Sequence, residues 1–282
     1  MNGPPAELVA RLTADGVLSG VEWHPQVGST NVVAGHAAAR GAAEIRAIVA
    51  DEQTAGRGRQ GRAWAAPPGT SLLHSLLVRP SVAAPALGLL PLLAGLALAE
   101  AVDGLLAGPA VALKWPNDLL VEGRKAAGIL VEGLAGGAYA VGIGVNVDWR
   151  GVERPAALSA SATSLAEAAE SFRPARPGDS GQRPGGCAAD VDRWALFAAL
   201  AEAFAGRYRA WQAEPRAFLD GYRARCATLG AQVTATRGLE AVQGLATGIA
   251  DDGALELRTP AGERLRLLAG DVTHVRGVVR RS

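Results

Sequence analysis

The chain has 282 residues, 49% of them hydrophobic, and a formal net charge of +1. That length supports a large core plus a small second domain, and the near-zero charge gives no general attraction to nucleic acid. Cys187 and Cys226 cannot build a disulfide framework, the four histidines show no zinc spacing, and no basic-then-apolar leader opens the chain, so a cytoplasmic location is the expectation.

In chain order, Pro4–Ala14 reads as a short helix and Val21–His24 as a strand. Gly28-Ser29-Thr30-Asn31 precedes an Ala-rich run that stops near Arg40-Gly41. Ser29 or Thr30 suits an N-cap and Gly41 a stop. The three polar side chains either cap that helix or use its N-terminus to grip a polar ligand head. Ile45–Ala50 is a buried strand that feeds Asp51–Trp64, the sequence D-E-Q-T-A-G-R-G-R-Q-G-R-A-W. Ser71–Val78 is the next strand. Ala86–Leu106 is a long apolar helix, and its most apolar part, Pro85–Leu98, is too short to span a membrane. Val111–Lys114 is a strand ending in Trp115-Pro116-Asn117-Asp118. Leu119–Val121 and Ala127–Glu132 form a hairpin, and Tyr139–Val147 is another strand. Gly142 and Gly144 in it indicate that something lies close against the backbone.

Thr163–Glu170 is a short helix, and Glu170–Ala189 is rich in Pro, Gly, Ser and Arg, the texture of a surface loop. Asp192–Trp211 is an amphipathic helix whose aromatics belong to the core. Pro215 starts another helix, ending near Gly230. Five short strands follow: Gln232–Arg237, Ala241–Ile249, Leu255–Thr259, Arg264–Leu268 and Asp271–Val275. The expected architecture is therefore α+β, with a mixed, largely antiparallel sheet and helices over 1–229 and a small β-barrel over 230–282.

Asp51–Trp64 carries the strongest chemical signal. Gly56, Gly58 and Gly61 permit close backbone approach, while Arg57, Arg59 and Arg62 supply planar forks for carboxylate or phosphate oxygens. The pattern Gly56-x-Gly58-x-x-Gly61 also matches a dinucleotide fingerprint. That motif must open a helix, and Pro67-Pro68-Gly69 forbids one. The plainer alternative is a solvated basic loop. All but two of the 28 basic residues are Arg. The exceptions, Lys114 and Lys125, hint at places where a compact ammonium is needed.

G-R-G-R-Q-G-R, K-W-P-N-D, K-A-A-G-I-L-V-E and G-I-G-V-N-V occur in this order, and A-G-D-V-T-H-V-R lies near the end. Together they resemble the biotin protein ligase family over nearly the whole chain. The stretch at about 171–190 is left unmatched. The resemblance implies a catalytic domain like that of class II aminoacyl-tRNA synthetases, followed by an SH3-like barrel. It implies biotin and ATP as substrates with Mg2+, a biotinyl-5′-adenylate intermediate, and transfer to a lysine of a biotin carboxyl carrier protein. It also implies pairing of subunits through their central sheets in some members. The family's N-terminal DNA-binding domain has no counterpart in the roughly twenty residues before the first core strand, so repressor function and DNA binding are not expected.

Carried over position by position, the resemblance assigns Ser29, Thr30, Asn31 and Gln53 to the ureido end of biotin. It places Arg57, Gly58, Arg59 and Lys125 around the carboxylate and adenylate, with Lys125, Arg59 and Arg57 as the catalytic set. Arg62, Trp64, Lys114, Asn117, Asp118 and Asn146 fall to the nucleotide, Trp64 by stacking on adenine. Asp118 is assigned to magnesium or to orienting Lys125, with a plain turn after Pro116 as the alternative. Lys114 is either a second cation or a salt-bridge partner, and Trp115 is core. The chemistry suits these residue types: a carboxylate and a phosphate about 4 Å apart repel by roughly 4 kcal/mol at an effective dielectric near 20, which fixed cations must offset. A lipoate or octanoate transferase is the nearest rival, and a non-catalytic biotin sensor is the rival from another class.

Overall fold

The structure, a computed structural model, describes residues 3–106, 110–154, 156–171, 190–237, 240–268, 270 and 272–274. Helix α1 (Ala6–Ala14) leads into β1 (Gly20–Val27), α2 (Thr30–Ala39), β2 (Arg46–Gln53) and β3 (Ser71–Val78). Two helices follow, α3 (Ala84–Leu87) and α4 (Leu90–Leu105), then β4 (Val111–Lys114), β5 (Asp118–Val121), β6 (Arg124–Gly133) and β7 (Tyr139–Asn146). Next come α5 (Ala156–Ser161), α6 (Leu165–Ser171), α7 (Arg193–Ala213) and α8 (Leu219–Arg225). The chain closes with β8 (Gln232–Arg237), β9 (Glu240–Ile249), β10 (Leu255–Arg258), β11 (Arg264–Leu267) and β12 (Val272–His274). Most of the Pro/Gly-rich stretch expected as a surface loop, residues 172–189 with Cys187, lies outside the described residues.

The first seven strands form one sheet in the order β1-β2-β3-β7-β6-β5-β4. Only β1–β2 is parallel; the other pairs are antiparallel. Strand β3 lies inside the sheet, next to the central β7, and is buried at all eight positions. Its alternation sends Ser75 and Leu77 to the α2 face, where they meet Thr30, Asn31 and the Ala37 cluster. Leu72, His74 and Leu76 go to the other face, against α4 and α7, where the His74 ring meets Phe197 edge-on at 5.8 Å. Most aromatics of α7 are core, as their helical spacing indicates: Phe197, Phe204, Tyr208 and Trp211 are at most 1% exposed, and Trp194 is half-buried against them.

Three elements differ from the sequence expectation. The apolar helix is two helices, because Pro91 lacks the N–H that a helix interior needs and so opens α4 at its first turn. Taken together, Ala84–Leu105 is long and apolar enough to cross a membrane by composition. What marks it as a core element is burial against the sheet and α7, not shortness. The helix begun after Pro215 is only the seven-residue α8. Helix α5 was not anticipated.

The last five strands form a second antiparallel sheet, in the order β11-β10-β9-β8-β12. It is tied to the first at the K-W-P-N-D segment. The Trp115 indole N–H donates to Gly253 O at 2.9 Å, and the Trp115 backbone N–H donates to Thr228 Oγ1 at 3.0 Å. Arg223 of α8 adds a hydrogen bond to Ile249 O at 2.7 Å. Trp115 is thus core, as expected, and it joins the two sheets.

His74 gives the fold a measurable acid sensitivity. Burial without a partner for Nδ1 holds its imidazole down at about 4, from an ordinary 6.5. The unfolded chain therefore takes up this proton first as the pH falls. Stability from the neutral ring is complete above pH 6.5 and is lost towards pH 4, by about 3 kcal/mol. His74→Leu is expected to flatten the acid limb of the unfolding free energy measured by urea titration from pH 7 to 4. An unchanged limb refutes this.

Candidate active site

One pocket opens over the α2 face of the sheet. Its floor is β3, β7 and β6, its walls are the start of α2 and the glycine–arginine loop, and Asn117 and Asp118 close one end. No helix follows the glycines. The loop folds back on itself: the Gly58 N–H donates to Arg62 O at 2.7 Å, the Trp64 N–H donates to Gly56 O at 2.9 Å, and Arg57 bridges to Ala63. A Cβ on Gly56 would stand 2.5 Å from Trp64 O, so a side chain there would block this closure. The dinucleotide reading is excluded on geometry.

The expectation that something presses on the glycines of β7 is met twice. A Cβ at Gly142 would lie 2.5 Å from Asn31 Oδ1, and one at Gly144 would lie 2.7 Å from the Trp64 ring. Gly128 of β6, the register partner of Gly144, accepts the same ring, with 2.8 Å to a Cβ built there. Trp64 therefore lies flat on a glycine pair, as part of the pocket wall.

The cationic end is built around Lys125. Its Nζ is 2.7 Å from Asp118 Oδ1 and 5.6 Å from the centre of the Trp64 ring. Lys125 reaches this face because β5 and β6 change register between Leu119 and Leu120. Without that bulge, strict alternation would put Lys125 with Ala127 and Ile129 in the core; with it, the ammonium stands beside Gly128. Arg59 donates to Asn117 Oδ1 at 3.3 Å, and Asn117 in turn donates to Ile129 O at 3.1 Å. Burial lowers the Arg59 pKa, with Asp118 opposing and Arg62 adding to the shift.

The opposite end is polar and uncharged at its base. The Thr30 N–H donates to Gln53 Oε1 at 2.7 Å, Ser75 Oγ lies 2.7 Å from Thr30 Oγ1 and 2.6 Å from Asn31 Oδ1, and Asn31 Nδ2 donates to Glu132 Oε2 at 2.7 Å. Ser29 caps α2 by position, without a side-chain hydrogen bond. Glu132 also meets Arg57, at 3.2 Å.

The pocket brings together Ser29, Thr30, Asn31, Gln53, Arg57, Gly58, Arg59, Arg62, Trp64, Asn117, Asp118 and Lys125, and it leaves two expected residues aside. Asn146 is 2% exposed and donates to Thr163 O at 2.9 Å, so its amide nitrogen holds the chain after α5, while its Oδ1 is buried with no partner among the described residues. Lys114 does not line the pocket. Burial lowers its pKa, and its charge acts on His274 of the second sheet. Among the described residues, no group of three His, Cys, Asp or Glu comes together to cage a metal. Sequence reasoning missed Ser75 and Glu132. Glu132 ends the quoted K-A-A-G-I-L-V-E string, and its even spacing from Gly128 was the available signal.

Residues 25–148 match the Biotin/lipoate A/B protein ligase family, and residues 228–275 match the Biotin protein ligase C terminal domain. A biotin–[acetyl-CoA-carboxylase] ligase of Paracoccus denitrificans is 38% identical over 77% of this chain and 86% of the relative. One from Mycobacterium tuberculosis is 38% identical over 89% and 87%. Among solved structures, biotin protein ligase from Aquifex aeolicus in complex with biotin and ATP superposes with a TM-score of 0.74 at 27% identity, covering 91% of this chain and 99% of that one. The Leishmania major enzyme with biotinyl-5-AMP gives 0.54 at 26% identity, over 88% and 98%.

Proposed function

The chain belongs to the biotin protein ligase family, and on that premise we propose that this pocket joins biotin to ATP and hands the biotinyl group to a carrier lysine. One observation carries the reading: a neutral hydrogen-bonding end (Thr30, Asn31, Gln53) and a cationic end (Lys125, Arg59) share a single cavity. A ligand with a polar ring at one terminus and a carboxylate at the other fits that polarity.

In the first step a biotin carboxylate oxygen attacks the α-phosphorus of ATP, and the bond to pyrophosphate breaks. Lys125 and Arg59 sit where two anions must meet and where negative charge grows. Asn117 fixes the Arg59 fork, and Asp118 holds the Lys125 ammonium towards the cavity. The exposed side of Trp64 offers a flat surface for adenine. Magnesium is proposed as a companion of the triphosphate, since Mg2+ is commonly bound through one or two carboxylates plus phosphate oxygens. Asp118, the one carboxylate among the described residues that line the pocket, is the side chain that would hold it. In the second step the neutral lysine amine of a carboxylase's biotin carrier attacks the acyl carbon, AMP leaves, and the amine loses a proton. The loop from Gly56 to Trp64 shields the mixed anhydride from water.

The matching family includes lipoate enzymes. The second sheet's match to the biotin ligase C-terminal domain and the names of the relatives favour biotin. ATP–pyrophosphate exchange on the purified chain is expected with biotin and not with lipoate or octanoate. Exchange with lipoate alone, or tight biotin binding without exchange, overturns the reading.

A further inference from the structure

We infer that Glu132 is a specificity-positioning residue. From outside the ligand pocket it fixes the proton direction of a hydrogen-bond relay, so that the pocket end of the relay accepts a ligand N–H. The inference rests on biotin's ureido ring occupying the Thr30–Asn31–Gln53 end.

The relay follows from counting protons. The Glu132 carboxylate is an acceptor, paired with Arg57 at 3.2 Å. Asn31 must therefore turn its amide NH2 towards it, which it does at 2.7 Å, and the same nitrogen donates to Leu130 O at 3.2 Å. Asn31 Oδ1 is then forced to face Ser75, 2.6 Å away, as an acceptor. Ser75 is fully buried and has one proton, which goes to Asn31. The 2.7 Å contact between Ser75 and Thr30 then needs the Thr30 proton. Nothing remains for the contact between Thr30 Oγ1 and Gln53 Oε1 at 3.1 Å, and Gln53 Oε1 is already oriented by the Thr30 N–H. The relay thus ends in two adjacent oxygens, both presenting lone pairs, with no proton between them. An N–H of a cyclic urea supplies that proton. A dithiolane ring or a plain alkyl chain has none to give, and leaves the buried Thr30 oxygen and the half-buried Gln53 oxygen facing each other as acceptors.

Glu132→Gln removes the fixed direction, because a glutamine amide can offer either its oxygen or its NH2 to Asn31. The expected result in the exchange assay is a rise of about tenfold or more in the KM for biotin, with the KM for ATP within threefold of wild type. Asn31→Asp places two carboxylates together and is expected to be worse. The double variant Asn31→Asp/Glu132→Gln reverses donor and acceptor at that contact while keeping an acceptor towards Ser75; the hydrogen bond to Leu130 O stays lost, so it should recover part of the biotin KM relative to Asn31→Asp. That recovery is a result a merely structural role would not give. An unchanged biotin KM in Glu132→Gln, an equal rise in both KM values, or a double variant no better than Asn31→Asp overturns the relay. Failure of the wild-type chain to exchange with biotin overturns the functional reading itself, and the two failures are told apart before any variant is made.

Discussion

Lys125→Ala is expected to lower biotin-dependent pyrophosphate exchange by about a thousandfold at saturating substrates. Removing one preorganised charge donor from such a site typically costs 100- to 1000-fold. Here the loss is compounded. With its ammonium gone, Asp118 keeps a carboxylate, 15% exposed, facing two anionic reactants. Lys125→Arg should not restore the rate, because a wide planar fork cannot take the place of a compact ammonium set 2.7 Å from Asp118 Oδ1 and 5.6 Å from the centre of the Trp64 ring. Unfolding by urea should be nearly unchanged, since Lys125 is partly exposed. Retention of more than a tenth of wild-type exchange would remove Lys125 from the catalytic set.

Gly144→Ala is expected to raise the KM for ATP by about thirtyfold while leaving the KM for biotin much closer to wild type. The added methyl would sit 2.7 to 2.9 Å from three atoms of the Trp64 ring, so the ring must leave the strand. Its backbone N–H is bonded to Gly56 O, so the move is passed into the glycine–arginine loop. If Trp64 presents a platform for adenine, nucleotide binding suffers first. A Gly144→Ala enzyme with unchanged ATP dependence would show that the ring takes no part in it. Gly128→Ala provides a second route to the same displacement, with 2.8 Å to the opposite edge of the ring.

Both predictions start from residues that could be read in the sequence, and the way each reaches the site shows where reading stops. Alternation and turn chemistry located β3, β7 and the five C-terminal strands to within a residue or two, because those signals are local. The glycine–arginine loop was visible as chemistry, and Pro67-Pro68-Gly69 was enough to refuse it a helix. Gly142 and Gly144 announced a close approach without saying of what. The answers, Asn31 and Trp64, come from segments far away along the chain. The same holds for Glu132, which finds Arg57 across 75 positions. Which way Asn146 turns was not legible for a related reason: a polar residue ending a strand does not declare which face it takes, and here its amide nitrogen donates to Thr163 O. The parallel pairing of β1 with β2 was likewise beyond local signals, since it is set by α2 crossing over one face.

The register change in β6 has a consequence for how such a chain tolerates altered length. Lys125 and Gly128 belong to the same face only because the strand carries one residue more than its partner between them. A deletion of one alanine from Ala126-Ala127 would leave the lysine, the glycine and every other motif residue in the gene product. It would remove the bulge, and with the lysine then two positions from Gly128 plain alternation would keep the ammonium on the pocket face, about one residue's rise nearer the glycine. The two alanines carry no chemistry, yet their number decides how the lysine reaches the pocket: two residues between Lys125 and Gly128 require the bulge, and one would not.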